Sequence, residues 1–262
     1  PSASSAASDV YKRQDYGFKF YPLNYAMSSK NLKEIADKAR KNDFISISEL
    51  MTGIETRVFS RKEVSQIIFK ESHKSLKIGI TGPPGAGKSS LMNKLIPLIR
   101  KENLSVGVIA IDPSSPITGG SFLGDRVRIN NAVNDDNVFV RSMGSRAELG
   151  GVTELAEDFS DILAFSGKDI IFIETVGVGQ SEYSVSEITD LTTLVFVPES
   201  GDEIQLLKAG ILELADIFVV NKSDRKDSNL LVKSINNILS STKKDSKNCL
   251  LYTSPSPRDG TS

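Results

Sequence analysis

The chain has 262 residues, 39% hydrophobic and 25% charged, with 32 Lys and Arg against 33 Asp and Glu and a net charge of -1. That length allows a sizeable core, and the near-neutral balance gives no support for a nucleic-acid-binding surface. One cysteine, Cys249, and one histidine, His73, exclude a disulfide framework and a Cys/His metal cluster within the chain. No apolar run approaches the ~18 residues of a membrane span. These bounds lead to the expectation of a soluble, cytoplasmic globular protein (or one of the mitochondrial matrix in a eukaryote) without nucleic-acid or membrane partners.

Taken in chain order, residues 1–14 (PSASSAASDVYKRQ) show no helical or alternating pattern. They resemble translated sequencing-adaptor read-through, as do residues 249–262 (CLLYTSPSPRDGTS). On that reading the native sequence is 15–248. A helical extension is expected over 15–75. Leu32, Ile35, Ala36 and Ala39 recur at helical spacing after Ser28 and Ser29. Ser60 to Glu63 has the spacing of a capping box, followed by Val64, Ile67 and Ile68 on one face. From 76 to 248 short β-rich runs alternate with longer helical stretches. Strands are expected at 77–81, 105–111, 137–141, 169–174, 191–197 and 216–220. Helices are expected near 88–102, 125–133, 153–165, 203–214 and 227–240. Continuously apolar strands separated by helices imply an α/β fold: a mostly parallel sheet flanked by helices, with ligands bound beyond the carboxyl ends of the strands.

The first strand runs into Gly82-Pro83-Pro84-Gly85-Ala86-Gly87-Lys88-Ser89, with Ser90 following, and fits the G-x-x-x-x-G-K-[ST] phosphate loop. Glycines let successive backbone N–H groups curl around a phosphate at a helix N-terminus. Lys88 reaches the β and γ phosphates, and the Ser89 hydroxyl suits Mg²⁺. After strand 216–220 comes Asn221-Lys222-Ser223-Asp224. A carboxylate at Asp224 accepts from both N1–H and the N2 amino group of guanine, a donor pair adenine lacks, so GTP is expected over ATP. Asn221 is expected to tie this loop to the phosphate loop, with the Lys222 stem covering the base. The plainer alternative for Asp224 is a helix N-cap.

Two strands end in carboxylates on the phosphate-loop side, Asp112 and Glu174, where a Walker-B acid belongs. Asp112 also fits a turn before Pro113, and Asp125 an N-cap ahead of 126–133. The stretches ITGPPGAGKSSL, IDPSSPITGGSFLGDRVRI, IETVGVGQSE, VPESGDEIQLLKAGILE and VVNKSD occur in order across 77–224. Together they resemble the MeaB/ArgK-type G proteins, the methylmalonyl-CoA mutase-associated GTPases. The resemblance implies a P-loop GTPase of the SIMIBI class, related to the signal-recognition and metal-chaperone G proteins. It implies a chaperone that gates cofactor loading or protection of an adenosylcobalamin-dependent acyl-CoA mutase. It further implies a Mg²⁺ shell of Ser89, Asp112, Asp125 and Glu174, with switch loops around 112–125 and 174–183. A partner-responsive segment from Pro198 to Lys208 is implied too, Lys208 acting near the nucleotide. The family's homodimer is an expectation for the longer protein.

Two features qualify that resemblance, the lack of a Ras-like glutamine and one departure from the family pattern. Val178, not Gln, follows Gly177, and Gln180 stands further on, so slow turnover accelerated by a partner is expected. Ala147 stands where the family has glycine after Arg146, which leaves the role of Arg146 open. Three other functions fit less of the pattern. A small-molecule kinase of the arginine/ornithine transport type sits poorly with Asn-Lys-Ser-Asp. A nickel-insertion GTPase lacks Cys and His. The third is a nucleotide-dependent scaffold without hydrolysis.

Overall fold

The computed structural model describes residues 29–69, 74–112, 135–144, 149–175, 185–198, 215–242 and 250–256. Among the described residues three helices come first: α1 (Ser29–Ala39), α2 (Phe44–Glu55) and α3 (Arg61–Ile68). Asp43 caps α2 by accepting the Ser46 N–H at 2.9 Å. Hydrogen bonds from the Ser46 hydroxyl and amide hold the Asp43 carboxyl below its ordinary range. At α3 the expected capping box is present: Ser60 accepts the Glu63 N–H and Glu63 accepts the Ser60 N–H. Leu32, Ile35, Ala36, Ala39, Val64 and Ile68 are all buried, as the helical spacing required.

The remainder is β1 (Leu76–Thr81), α4 (Lys88–Lys101), β2 (Val106–Asp112), β3 (Val138–Gly144), α5 (Leu149–Phe165), β4 (Ile170–Glu174), β5 (Leu191–Phe196), β6 (Ile217–Val220), α6 (Ser228–Thr242) and β7 (Leu250–Thr253). The seven strands form one sheet in the order β3-β2-β4-β1-β5-β6-β7, every pair parallel. The helices expected at 125–133 and 203–214 lie outside the described residues. Strand β3 runs three residues past its expected end, and α5 starts four residues early.

Strand β7 lies beyond the expected domain end at 248. Leu250–Thr253 extends the sheet beside β6, with Leu250 opposite Ile217 and Thr253 opposite Val220. Only Leu251 packs inward, against the cluster under α6, so this four-residue edge strand carries no periodicity to read.

Alternate strand residues go to opposite faces of the sheet. Ile80, Val106, Val108, Phe172, Val195 and Val219 meet Met92 and Ile96 of α4 on one face. On the other, Ile109, Phe139, Met143, Ile171 and Ile173 meet Phe159, Ile162 and Leu163 of α5. Ile47, Leu50 and Met51 of α2 join that same cluster, so the N-terminal helices share a core with the sheet. Phe44 meets Phe139 edge to face at 5.2 Å. Arg141 of β3 reaches the Glu55 carboxylate at 2.9 Å, and Arg61 of α3 binds Glu154 and Asp158 of α5. Each fully buried Leu, Ile or Phe contributes about 1.5–3 kcal/mol, so these clusters fix the carboxyl edge on which the loops stand. Among the described residues no helix is long and apolar enough to cross a membrane.

Candidate nucleotide-binding site

The loop from Gly82 to Gly87 leaves the carboxyl end of β1 and enters α4 at Lys88. Its glycines answer two constraints. Gly82 has φ +137° and lies so close to β5 that an added Cβ would fall 2.2 Å from the Val195 carbonyl oxygen. Gly87, the α4 N-cap, has φ +87°, and a Cβ there would fall 2.4 Å from Asn221 Nδ2. Neither position admits a side chain without moving a neighbour. Pro83 and Ala86 are buried, whereas Pro84, Gly85 and Ser90 are exposed.

Lys88 is the first residue of α4 and is 7% exposed. Its Nζ donates to the carbonyl oxygens of Gly82 at 2.6 Å and Pro83 at 3.1 Å, so the amine stands across the mouth of the loop. Ser89 Oγ donates to Glu174 Oε1 at 2.7 Å. Glu174 ends β4 and is aligned with Ile80 of β1 and Ala110 of β2. Asp112 ends β2 two residues beyond Ala110, at the same edge of the sheet. Its side chain, with Asp125 and Lys208, lies outside the described residues.

The second loop follows β6. Asn221 is buried, and its Nδ2 donates to the Ala86 carbonyl at 2.8 Å while Oδ1 accepts the Lys222 N–H at 3.0 Å. Lys222, at φ +55°, sends its Nζ to the Gly85 carbonyl at 2.9 Å. Two side chains of Asn-Lys-Ser-Asp thus clamp the phosphate loop from outside. Asp224 stays exposed. Its carboxylate accepts the Ser256 N–H, and that backbone hydrogen bond holds the carboxyl below the ordinary range. Ser223 N–H donates to the Ser254 carbonyl at 2.9 Å, which sets the end of β7 beside this second loop. Ser254 and Ser256 lie beyond the expected domain end at 248, where no motif marks them. Thr81 and Thr175, joined at 2.9 Å, were missed because their pairing depends on strand register.

The donors fit a hard divalent cation. Ser89 and Glu174 offer a hydroxyl and a carboxylate within 2.7 Å of each other. Among the described residues no group of three or more His, Cys, Asp or Glu comes together. That composition suits Mg²⁺, which keeps most of its waters and takes one or two protein oxygens. It does not suit zinc or nickel.

The sequence profile of the methylmalonyl Co-A mutase-associated GTPase MeaB family matches residues 47–254. A protein of Pyrococcus horikoshii named as a GTPase is 45% identical over 199 residues, covering 76% of this chain and 63% of that one. The GTPase ArgK of Escherichia coli is 36% identical over 197 residues, covering 74% and 60%. The mitochondrial methylmalonic aciduria type A homolog of Mus musculus is 35% identical over 192 residues, covering 68% and 46%. The chain therefore spans less than two thirds of these relatives. Among solved structures, a LAO/AO transport system kinase superposes with TM-score 0.66 at 25% identity, covering 87% of this chain and 70% of that one. Helicobacter pylori HypB in complex with nickel shares the fold, with TM-score 0.52 at 17% identity, covering 76% and 86%. The phosphate loop, its clamp and these matches lead to one assignment: the chain belongs to the MeaB family of methylmalonyl-CoA mutase-associated P-loop GTPases.

Proposed function

We propose that this chain binds GTP with Mg²⁺, hydrolyses it slowly on its own, and uses the nucleotide state to gate cofactor loading or protection of an adenosylcobalamin-dependent acyl-CoA mutase. The observation that carries the reading is the clamp of Asn221 on Ala86 and Lys222 on Gly85, which holds the base loop against the phosphate loop. A guanine base on Asp224 and phosphates on the Gly82–Ser89 loop would then belong to one ligand.

The residues divide the work. Lys88 exchanges two loop carbonyls for β- and γ-phosphate oxygens, and backbone N–H groups of the loop and the first turn of α4 line the cradle. Mg²⁺, when bound, neutralises developing phosphate charge; Ser89 and Glu174 would hold it, with Asp112 and Asp125 completing the set. Hydrolysis is an in-line attack of water on the γ-phosphorus with departure of GDP, driven by positioning and charge stabilisation. Val178 after Gly177 leaves no glutamine there to orient the water, which supports slow turnover without a partner. Lys208 and the segment from Pro198 would respond to the mutase, and the longer protein would dimerise. Family membership supports the mutase as partner.

The test is single-turnover GTP hydrolysis with and without an adenosylcobalamin-dependent mutase. Acceleration by the mutase, abolished in Lys88→Ala, is the expected result. Equal rates with and without mutase, or transfer of phosphate to a small-molecule acceptor in place of water, would overturn it.

A further inference from the structure

We propose that Thr175 and Thr81 form a positioning pair that fixes the Glu174 carboxylate against the phosphate loop, making the Thr175 hydroxyl a determinant of GTP turnover and divalent-cation use. The inference rests on the GTP and Mg²⁺ reading above and concerns residues that touch no substrate atom.

The two threonines stand at the carboxyl ends of adjacent parallel strands. Thr81 is the last residue of β1, immediately before Gly82. Thr175 follows the last residue of β4, Glu174. Register places Ile80 beside Glu174, and the Thr175 N–H extends the ladder by donating to the Ile80 carbonyl at 3.0 Å. Beyond it, the Thr175 hydroxyl donates to Thr81 Oγ1 at 2.9 Å. Thr175 is thus held at two points, backbone and side chain, one peptide away from the carboxylate that accepts Ser89 Oγ. Holding Thr175 at both points fixes the Glu174 Cα from its downstream side, so the base of that side chain stays in place while Ser89 holds its tip.

Both threonines are 2% exposed. On the same face as Thr175, β4 carries Ile171 and Ile173, both buried. Valine has the shape of threonine and the same preference for strands. Packing alone would therefore accept valine at both sites, and a buried hydroxyl is tolerable only because a partner answers it. The pair contributes direction where a valine pair would contribute only volume. It joins the root of the phosphate loop to the residue that follows the Glu174 carboxylate, so a change at one is felt at the other.

The experiment uses the full chain and the variants Thr175→Val, Thr175→Ser, Thr81→Val and the double valine. For Thr175→Val, kcat should fall by about tenfold with KM within about twofold, the size expected when a group near the chemistry is slightly misplaced. The Mg²⁺ concentration that half-saturates its binding of fluorescent GDP should rise severalfold, while binding of that GDP in EDTA stays unchanged. Thr175→Ser, which keeps the hydroxyl, should restore both, and the double variant should be no worse than either single. Should Thr175→Val fail to fold, Thr81→Val removes the acceptor and carries the same expectations. The proposal is overturned if both valine variants keep wild-type kcat and Mg²⁺ dependence, if Thr175→Ser is as impaired as Thr175→Val, or if the single effects add. No guanine-nucleotide binding by the unmodified protein would overturn the nucleotide reading itself, and this proposal with it.

Discussion

Lys168 offers a quantitative test of the packing between the N-terminal helices and the sheet. It lies in the turn between α5 and β4, 1% exposed, with its Nζ 5.0 Å from the centre of the Phe44 ring. Among the described residues that amine has no hydrogen-bond partner. Burial, and then the Arg100 charge, lower its pKa from 10.5 to about 8, against the opposing pull of Asp135 and Asp169. A base whose folded pKa lies below its unfolded one destabilises the fold while charged in both states. Stability is therefore lower below pH 8 and rises between pH 8 and 10.5, where the unfolded chain binds more protons. The cost at pH 7 is at most about 3 kcal/mol, falling to about 1.4 kcal/mol at pH 9.5. The Phe44 ring offsets about 0.5–2 kcal/mol of it. Lys168→Met keeps the stem without the charge, so urea unfolding should find it about 1–3 kcal/mol more stable at pH 7, with roughly half of that gap gone by pH 9.5. A gap that is constant with pH, or a methionine variant less stable at pH 7, would refute the reasoning.

Three other substitutions probe separate parts of the molecule. Gly87→Ala combines a left-handed φ, about 1–2 kcal/mol, with loss of the Asn221 bond to Ala86, about 1 kcal/mol; calorimetry should show nucleotide affinity reduced by at least tenfold, roughly 1.4 kcal/mol, and unchanged affinity would mean the clamp is not needed. Ser60→Ala removes the capping box and should cost about 1 kcal/mol, a fall of about 2–4 °C in Tm, with nucleotide binding untouched. Asp224→Asn, at an exposed position, should leave stability within about 0.5 kcal/mol while narrowing the preference for GTP over ATP; a preference as wide as before would place base recognition elsewhere.

What could be read from sequence was what repeats locally. The Ser60 and Glu63 spacing identified a capping box because both partners lie within one helical turn. The apolar runs identified β1 to β6 because strands buried on both faces need no alternation. The glycine and lysine spacing identified the phosphate loop because each backbone N–H must turn toward one point. Contacts that depend on register stayed hidden: Thr81 on Thr175 spans 94 positions, and Arg61 reaches Asp158 across 97. Lys168 could not be singled out, since a lysine in a Ser-Gly-Lys-Asp turn looks solvated until Phe44 and α2 are laid over it. Strand β7 was lost for a different reason, its composition being that of a loose end while its hydrogen bonds to β6 come from a neighbour far earlier in the chain.

The most direct measurement of the central claim is the affinity of the full chain for GTP and for ATP, each with Mg²⁺, by titration calorimetry. The account predicts GTP bound at least about a hundredfold more tightly, about 2.7 kcal/mol of preference from the paired carboxylate at Asp224, and no binding of either nucleotide by Lys88→Ala. Equal affinity for the two nucleotides, or binding that survives Lys88→Ala unchanged, would contradict it.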